Sequence, residues 1–132
     1  MRIFLASLLA LTLCSCAMPA RRSLELGVRV GDELRIETPA AITKCYEWRA
    51  TSPLSTRQEH VPCLAHWPDN LPDGAIKVAV DTVVTVVKIQ ELGLIDSGST
   101  QVFVKVPGHE QTYLVPMGDM GRLFPSRHRH GR

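Results

Sequence analysis

The stretch Ile76–Pro116, IKVAVDTVVTVVKIQELGLIDSGSTQVFVKVPGHEQTYLVP, holds most of the chain's β-branched residues and decides the fold class. Its Val-rich runs are interrupted by Ser97-Gly98-Ser99 and by Pro107-Gly108-His109-Glu110, which is strand and turn chemistry rather than helix chemistry. A two-residue turn at Gly108-His109 sets Val106 opposite Gln111, Val104 opposite Tyr113 and Val102 opposite Val115. One face of that hairpin is then apolar. The other carries Phe103, Lys105, Thr112 and Leu114, a mixed face of the kind an antiparallel sheet leaves half exposed.

Upstream, the apolar residues between Leu24 and Glu37 fall on even positions: Leu24, Leu26, Val28, Val30, Leu34 and Ile36. That is period two. A three-residue loop at Gly31–Glu33 would pair Val30 with Leu34 and Val28 with Ile36; the alternative is a bend in one long strand. Residues 49–73 read differently, because Pro53, Pro62, Pro68 and Pro72 punctuate a polar segment where a ladder strand would lose its amides. This predicts a long loop, which calls for a constraint.

Cys45 and Cys63 supply one. They are the cysteines left beyond the first 16 residues, and in an exported chain such a pair reads most simply as a disulfide. Trp48 and Trp67 lie near the two cysteines in sequence and are expected to pack over the bridge. The same segment admits a metal reading, in which His60, Cys63 and His66 join Cys45 as two imidazoles and two thiolates of the kind zinc takes. Pro62 splits that cluster and the second thiolate stands alone, so the disulfide is the expectation and no metal or cofactor is assigned.

The chain opens with Met1-Arg2, then eleven mostly apolar residues, Ile3 to Leu13, then Cys14-Ser15-Cys16-Ala17. A helix of that length rises about 16 Å, roughly half of a ~30 Å bilayer core, which is a signal peptide and not a span. The segment Leu13-Cys14-Ser15-Cys16 resembles the lipobox of bacterial lipoproteins. The resemblance implies lipidation at Cys16, a membrane anchor, and, with Ala17 following, an outer-membrane location facing the periplasm. Ordinary cleavage after Ala17 is the alternative reading. The organisation expected is a leader at 1–16, a linker at 17–23, a β domain at 24–120 and a basic His/Arg tail at 121–132.

Of 132 residues, removing 16 leaves 116, enough for one core. With Arg2 gone, Lys and Arg number 14 against 13 acidic residues, so no nucleic-acid partner is implied. Arg127, Arg129 and Arg132 concentrate in the tail, expected to be a solvated end. His109 reads as a turn residue, and no GxSxG, Walker loop, HExxH or GxGxxG occurs.

Residues 81–87, DTVVTVV, and 101–115, QVFVKVPGHEQTYLV, resemble the second half of bacterial SH3-like domains. Phe103 and Lys105-Val106 match the middle strand and Gly108 the turn, while Asp81 stands where those domains carry Gly. The resemblance implies a small barrel that binds a cell-wall peptide or a partner protein through exposed aromatics, without catalysis.

The sequence therefore predicts an all-β domain, a small barrel or sandwich of about five or six mainly antiparallel strands with a long disulfide-closed loop. The expected activity is non-enzymatic binding of an envelope component, by a protein exported and tethered through Cys16. A metal- or thiol-dependent protein using His60, Cys63 and His66, or a purely structural envelope component, are the alternatives. Candidate binding residues are Phe103, which is either exposed or covered by the loop bearing Trp48 and Trp67, and the loop rim at Arg57, His60 and Trp67.

Overall fold

In the computed structural model, residues 17–20, 22–23, 26–52, 55–92 and 99–129 are described. They form strands β1 (Ala17–Ala20), β2 (Arg22–Ser23), β3 (Val28–Arg29), β4 (Glu33–Arg35), β5 (Ala40–Ser52), β6 (Ser55–His66), β7 (Ile76–Val78), β8 (Val83–Leu92), β9 (Ser99–Lys105) and β10 (Thr112–Val115), followed by helices α1 (Met117–Leu123) and α2 (Pro125–Arg129). The chain is all-β in class. Eight strands make one sheet in the order β1-β8-β9-β10-β6-β5-β7, with β4 also on β8, and β2 and β3 form a separate ribbon. Every pairing is antiparallel except β10 with β6, which meet in parallel at Leu114 and Cys63. Ten strands are described where about five or six were expected, and eight of them join one mixed sheet.

The stretch Ile76–Pro116 builds much of that core. Its β9–β10 ladder pairs Val104 with Tyr113, Val102 with Val115 and Phe103 with Leu114, the register the alternation predicts. The turn itself centres on Pro107-Gly108, closed by the His109 amide donating to the Val106 carbonyl at 3.1 Å, with Gly108 at φ +82°. Pro at the second turn position and a positive-φ Gly at the third is the type II pattern.

On β8 a bulge does what strict alternation cannot. Val86 pairs with Val104 but Lys88 pairs with Phe103, so Val87 is the extra residue. Val84 and Val86 are buried, and after the bulge it is Ile89, 1% exposed, that enters the core. Without it the two-residue period would send Lys88 inward. Lys88 instead stays outside and places its ammonium 5.2 Å from the Phe103 ring centroid.

The segment around Gly31 departs from the three-residue hairpin. The Asp32 amide donates to the Arg29 carbonyl, closing a tight turn with Gly31 at φ +96°. The chain then runs along β8, with Leu34 opposite Val84. Buried Val28, Leu34 and Ile36 keep the even phase, whereas Val30 at the turn is 44% exposed. Pairing with β8 wins because it buries Leu34 against Val84 in the common core, which a free hairpin cannot offer.

Residues 49–73 are a second correction. Most of that segment is strand: β5 and β6 pair from Ala40↔His66 to Ser52↔Ser55. Pro62 sits within β6 opposite Lys44. A proline is compatible with a ladder where its nitrogen points away from the partner strand, and on its other edge β6 meets β10 at the single register pair Leu114↔Cys63. The remaining loop, 67–75, carries Pro68 and Pro72 from β6 to β7.

The expected linker and tail are also structured in part. Ala17–Ala20 pairs with Ile89–Leu92 at the sheet edge, and Arg22–Ser23 pairs with β3. Near the other terminus Met120, Leu123 and Phe124 are buried in the main core, so the boundary expected after residue 120 falls inside α1. Arg127, read as a solvated tail cation, donates to the Gly27 carbonyl and to Asp32 Oδ2, the latter at 2.6 Å. Partial burial pushes the Asp32 carboxyl up, but the Arg29 amide and the Arg127 guanidinium outweigh it and hold it below its ordinary value.

Candidate functional site

Hairpin β5–β6 is longer than the core it helps to enclose. Along β5 the even residues Ala40 and Ile42 are buried with Leu64 of β6, and the next ones on that face, Lys44 and Tyr46, run out past the core into solvent. Tyr46 is 63% exposed. Its register partner is His60, and the two rings stack with centroids 3.9 Å apart at 44°. Beside them Lys44, His60, Val61, Pro62 and Gln111 line a groove of about 400 Å³. An ammonium, an imidazole, a phenol and a primary amide around a tilted ring pair can hydrogen-bond and stack on a polar, ring-bearing or peptidic ligand.

The hairpin is stapled at its base. Cys45 and Cys63 form a disulfide with Cα atoms 5.8 Å apart, joining diagonal positions of the ladder, since Cys45 pairs with Val61 and Thr43 with Cys63. Closing a loop of 18 residues stabilises by on the order of 3 kcal/mol in the chain-entropy picture. Cys63 is fully buried on the face away from the main core, in a second cluster with Val61, Ala65 and Leu114, against which Cys45 and Phe103 pack.

Phe103 is therefore half-buried. Its neighbours are Lys88 and the β6 side chains of that cluster, so the 49–73 segment covers it, as strand rather than as loop. Trp67 does not cover the bridge: its indole donates to the Asn70 carbonyl at 2.8 Å and its amide to the Pro39 carbonyl at 3.0 Å. It walls a separate groove of about 550 Å³ with Pro39, Leu71, Lys77 and Val80. The side chain of Trp48 and Cys16 lie outside the described residues. Arg57 reaches along β6 to Glu59, with Nε at 3.1 Å and a closer contact from the terminal nitrogen.

The metal reading loses its geometry here. Cys63 is bonded to Cys45, and strand alternation sets it on the face opposite His60 and His66. Among the described residues no three His, Cys, Asp or Glu side chains lie close enough together to hold a metal ion. His109 stands edge-on to Tyr113 at 6.0 Å, and His66 is held by its amide to Asp119 Oδ2 at 3.3 Å. Of the expected binding residues the structure thus separates Phe103, Trp67 and His60 into three places. Lys44, Tyr46 and Gln111 escaped the sequence reading. The signal for them was the even phase Ala40, Ile42, Lys44, Tyr46, hidden once the following segment was read as loop.

No family model, curated protein or solved structure matches this chain.

Proposed function

We propose that this chain is an exported, non-enzymatic lipoprotein of the cell envelope, anchored through Cys16 at the outer membrane facing the periplasm. Its β domain binds another envelope component through the Tyr46–His60 stretch of hairpin β5–β6. The leader Met1–Cys16 supports the location. The observation that carries the binding role is the stacked Tyr46–His60 pair, large side chains held outside any core on an arm that a disulfide stiffens. A rigid, exposed aromatic loses little conformational entropy on binding, which is what recognition surfaces use. The resemblance of residues 81–115 to SH3-like domains points the same way, toward a cell-wall peptide or a partner protein.

Two experiments test the reading. The native protein should enter the detergent-rich phase, and Cys16→Ser should leave it in the aqueous phase or unprocessed; a native protein already in the aqueous phase contradicts the anchor. Tyr46→Ala/His60→Ala should melt as the native protein does, yet lose the envelope species that the native protein captures after crosslinking. Equal capture by both removes the hairpin from the binding role.

A further inference from the structure

The β2–β3 ribbon carries an arrangement that the hairpin does not explain. Arg22 and Arg29 are direct cross-strand partners, and both are exposed. Like charges placed opposite one another in a ladder oppose its formation. Among the described residues Arg22 has no ion-pair partner, while Arg29 lies within the field of Asp32, a carboxylate already engaged by Arg127. Arg29 and Arg127 thus share one carboxylate while Arg22 faces Arg29 with none, on a ribbon of two-residue strands that contributes Val28 to the core. In sequence a further cation, Arg21, precedes Arg22.

The position of this cluster names its counter-charge. Strand β1 begins at Ala17, directly after Cys16, and pairs at once with Leu92 at the end of β8. Arg22 is six residues from the anchor, at most about 20 Å of extended chain, so the cations cannot leave the neighbourhood of a lipid attached there. We infer that the β2–β3 face bearing Arg22, Arg29 and Arg127 docks on the anionic headgroups of the membrane that holds Cys16, fixing the domain's orientation on the bilayer. This rests on the lipid-anchor reading. A chain anchor and a cationic patch are the two signals that together give stable and oriented attachment, each arginine near an anionic surface strengthening it on the order of five-fold.

The test uses the full lipidated protein in vesicles of phosphatidylcholine, alone or with phosphatidylglycerol in a three-to-one ratio, containing nitroxide-labelled lipid. A fluorophore is placed at Val30→Cys, beside Arg29, or at Gln58→Cys on β6. With anionic vesicles the Val30 label should be quenched and the Gln58 label spared. Quenching at Val30 should fall several-fold in neutral vesicles, at about 1 M salt, where the Debye length is about 3 Å, and in Arg22→Gln/Arg29→Gln. Arg22→Lys/Arg29→Lys should restore it, and Arg57→Gln should leave it unchanged. If the protein floats with the vesicles but Val30 quenching ignores lipid charge, salt and the arginines, or Arg57→Gln matches the double variant, the docking face is wrong. If the native protein does not float at all, the anchor fails, and the docking inference with it. A melting curve on each variant separates loss of docking from loss of fold.

Discussion

Single residues settle several turns of this chain. Asp81 adopts φ +73°, with its amide donating to the Ile36 carbonyl at 2.7 Å and the Thr82 amide closing onto Ala79. Aspartate tolerates the left-handed region better than branched residues do. Asp81→Val should therefore cost about 1–2 kcal/mol while Asp81→Asn costs little, as read from urea midpoints at constant slope. Asp32 gives a pH signature. Its carboxyl is held below the ordinary 3.8, so its contribution to stability is complete above that value and is lost as pH falls through the lower, folded-state value. Acid titration of the melting temperature should fall less steeply for Asp32→Asn than for the native chain. Equal slopes would show that the contacts from Arg29 and Arg127 do not hold in solution. Neither role was legible in the sequence: an Asp beside Gly31 reads as ordinary turn chemistry, and its arginine partner lies 95 positions away.

At the scale of elements, the disulfide and the β8 bulge make separable claims. Cys45→Ala and Cys63→Ala should each destabilise by about 3 kcal/mol, and the double variant by little more than either, since both remove one bond. Additive losses in chemical denaturation would contradict the bridge. Deleting Val87 removes the extra residue yet still leaves Lys88 outward and Ile89 inward, so that variant should keep a cooperative thermal transition, and loss of that transition would contradict the bulge. The β9–β10 register was readable because valines alternate on both sides of Pro107-Gly108-His109-Glu110, although the turn expected at Gly108-His109 is centred on Pro107-Gly108. Hairpin β5–β6 was not readable, because Pro62 argues against a ladder until the direction of its nitrogen is known, and because residues 55–60 are all polar and show no alternation. The short β4 was misassigned for a third reason: its partner β8 begins some fifty residues later, and local alternation says nothing about distant pairing.

For the whole molecule, one core draws side chains from both ends of the described chain, from Val28 to Phe124. The two short helices are part of it. The spacing of Met120, Leu123 and Phe124 was visible in the sequence, but the neighbouring Arg and His residues made the segment look like tail. Leu123→Ala should cost about 2–5 kcal/mol, as for a fully buried leucine, and a chain ending at Pro116 should not give a cooperative thermal transition. The fold leaves Tyr46 and His60, midway along β5–β6, standing clear of that core, and the proposed function depends on their contacting an envelope component. Site-specific photocrosslinking in cells tests this most directly, with a photoreactive amino acid placed in turn at Tyr46 and at Lys77 in the other groove. A discrete adduct from position 46 that disappears with His60→Ala, and none from position 77, is the result expected. An adduct from 77 alone, or none from 46 in a correctly folded and localised protein, would contradict it.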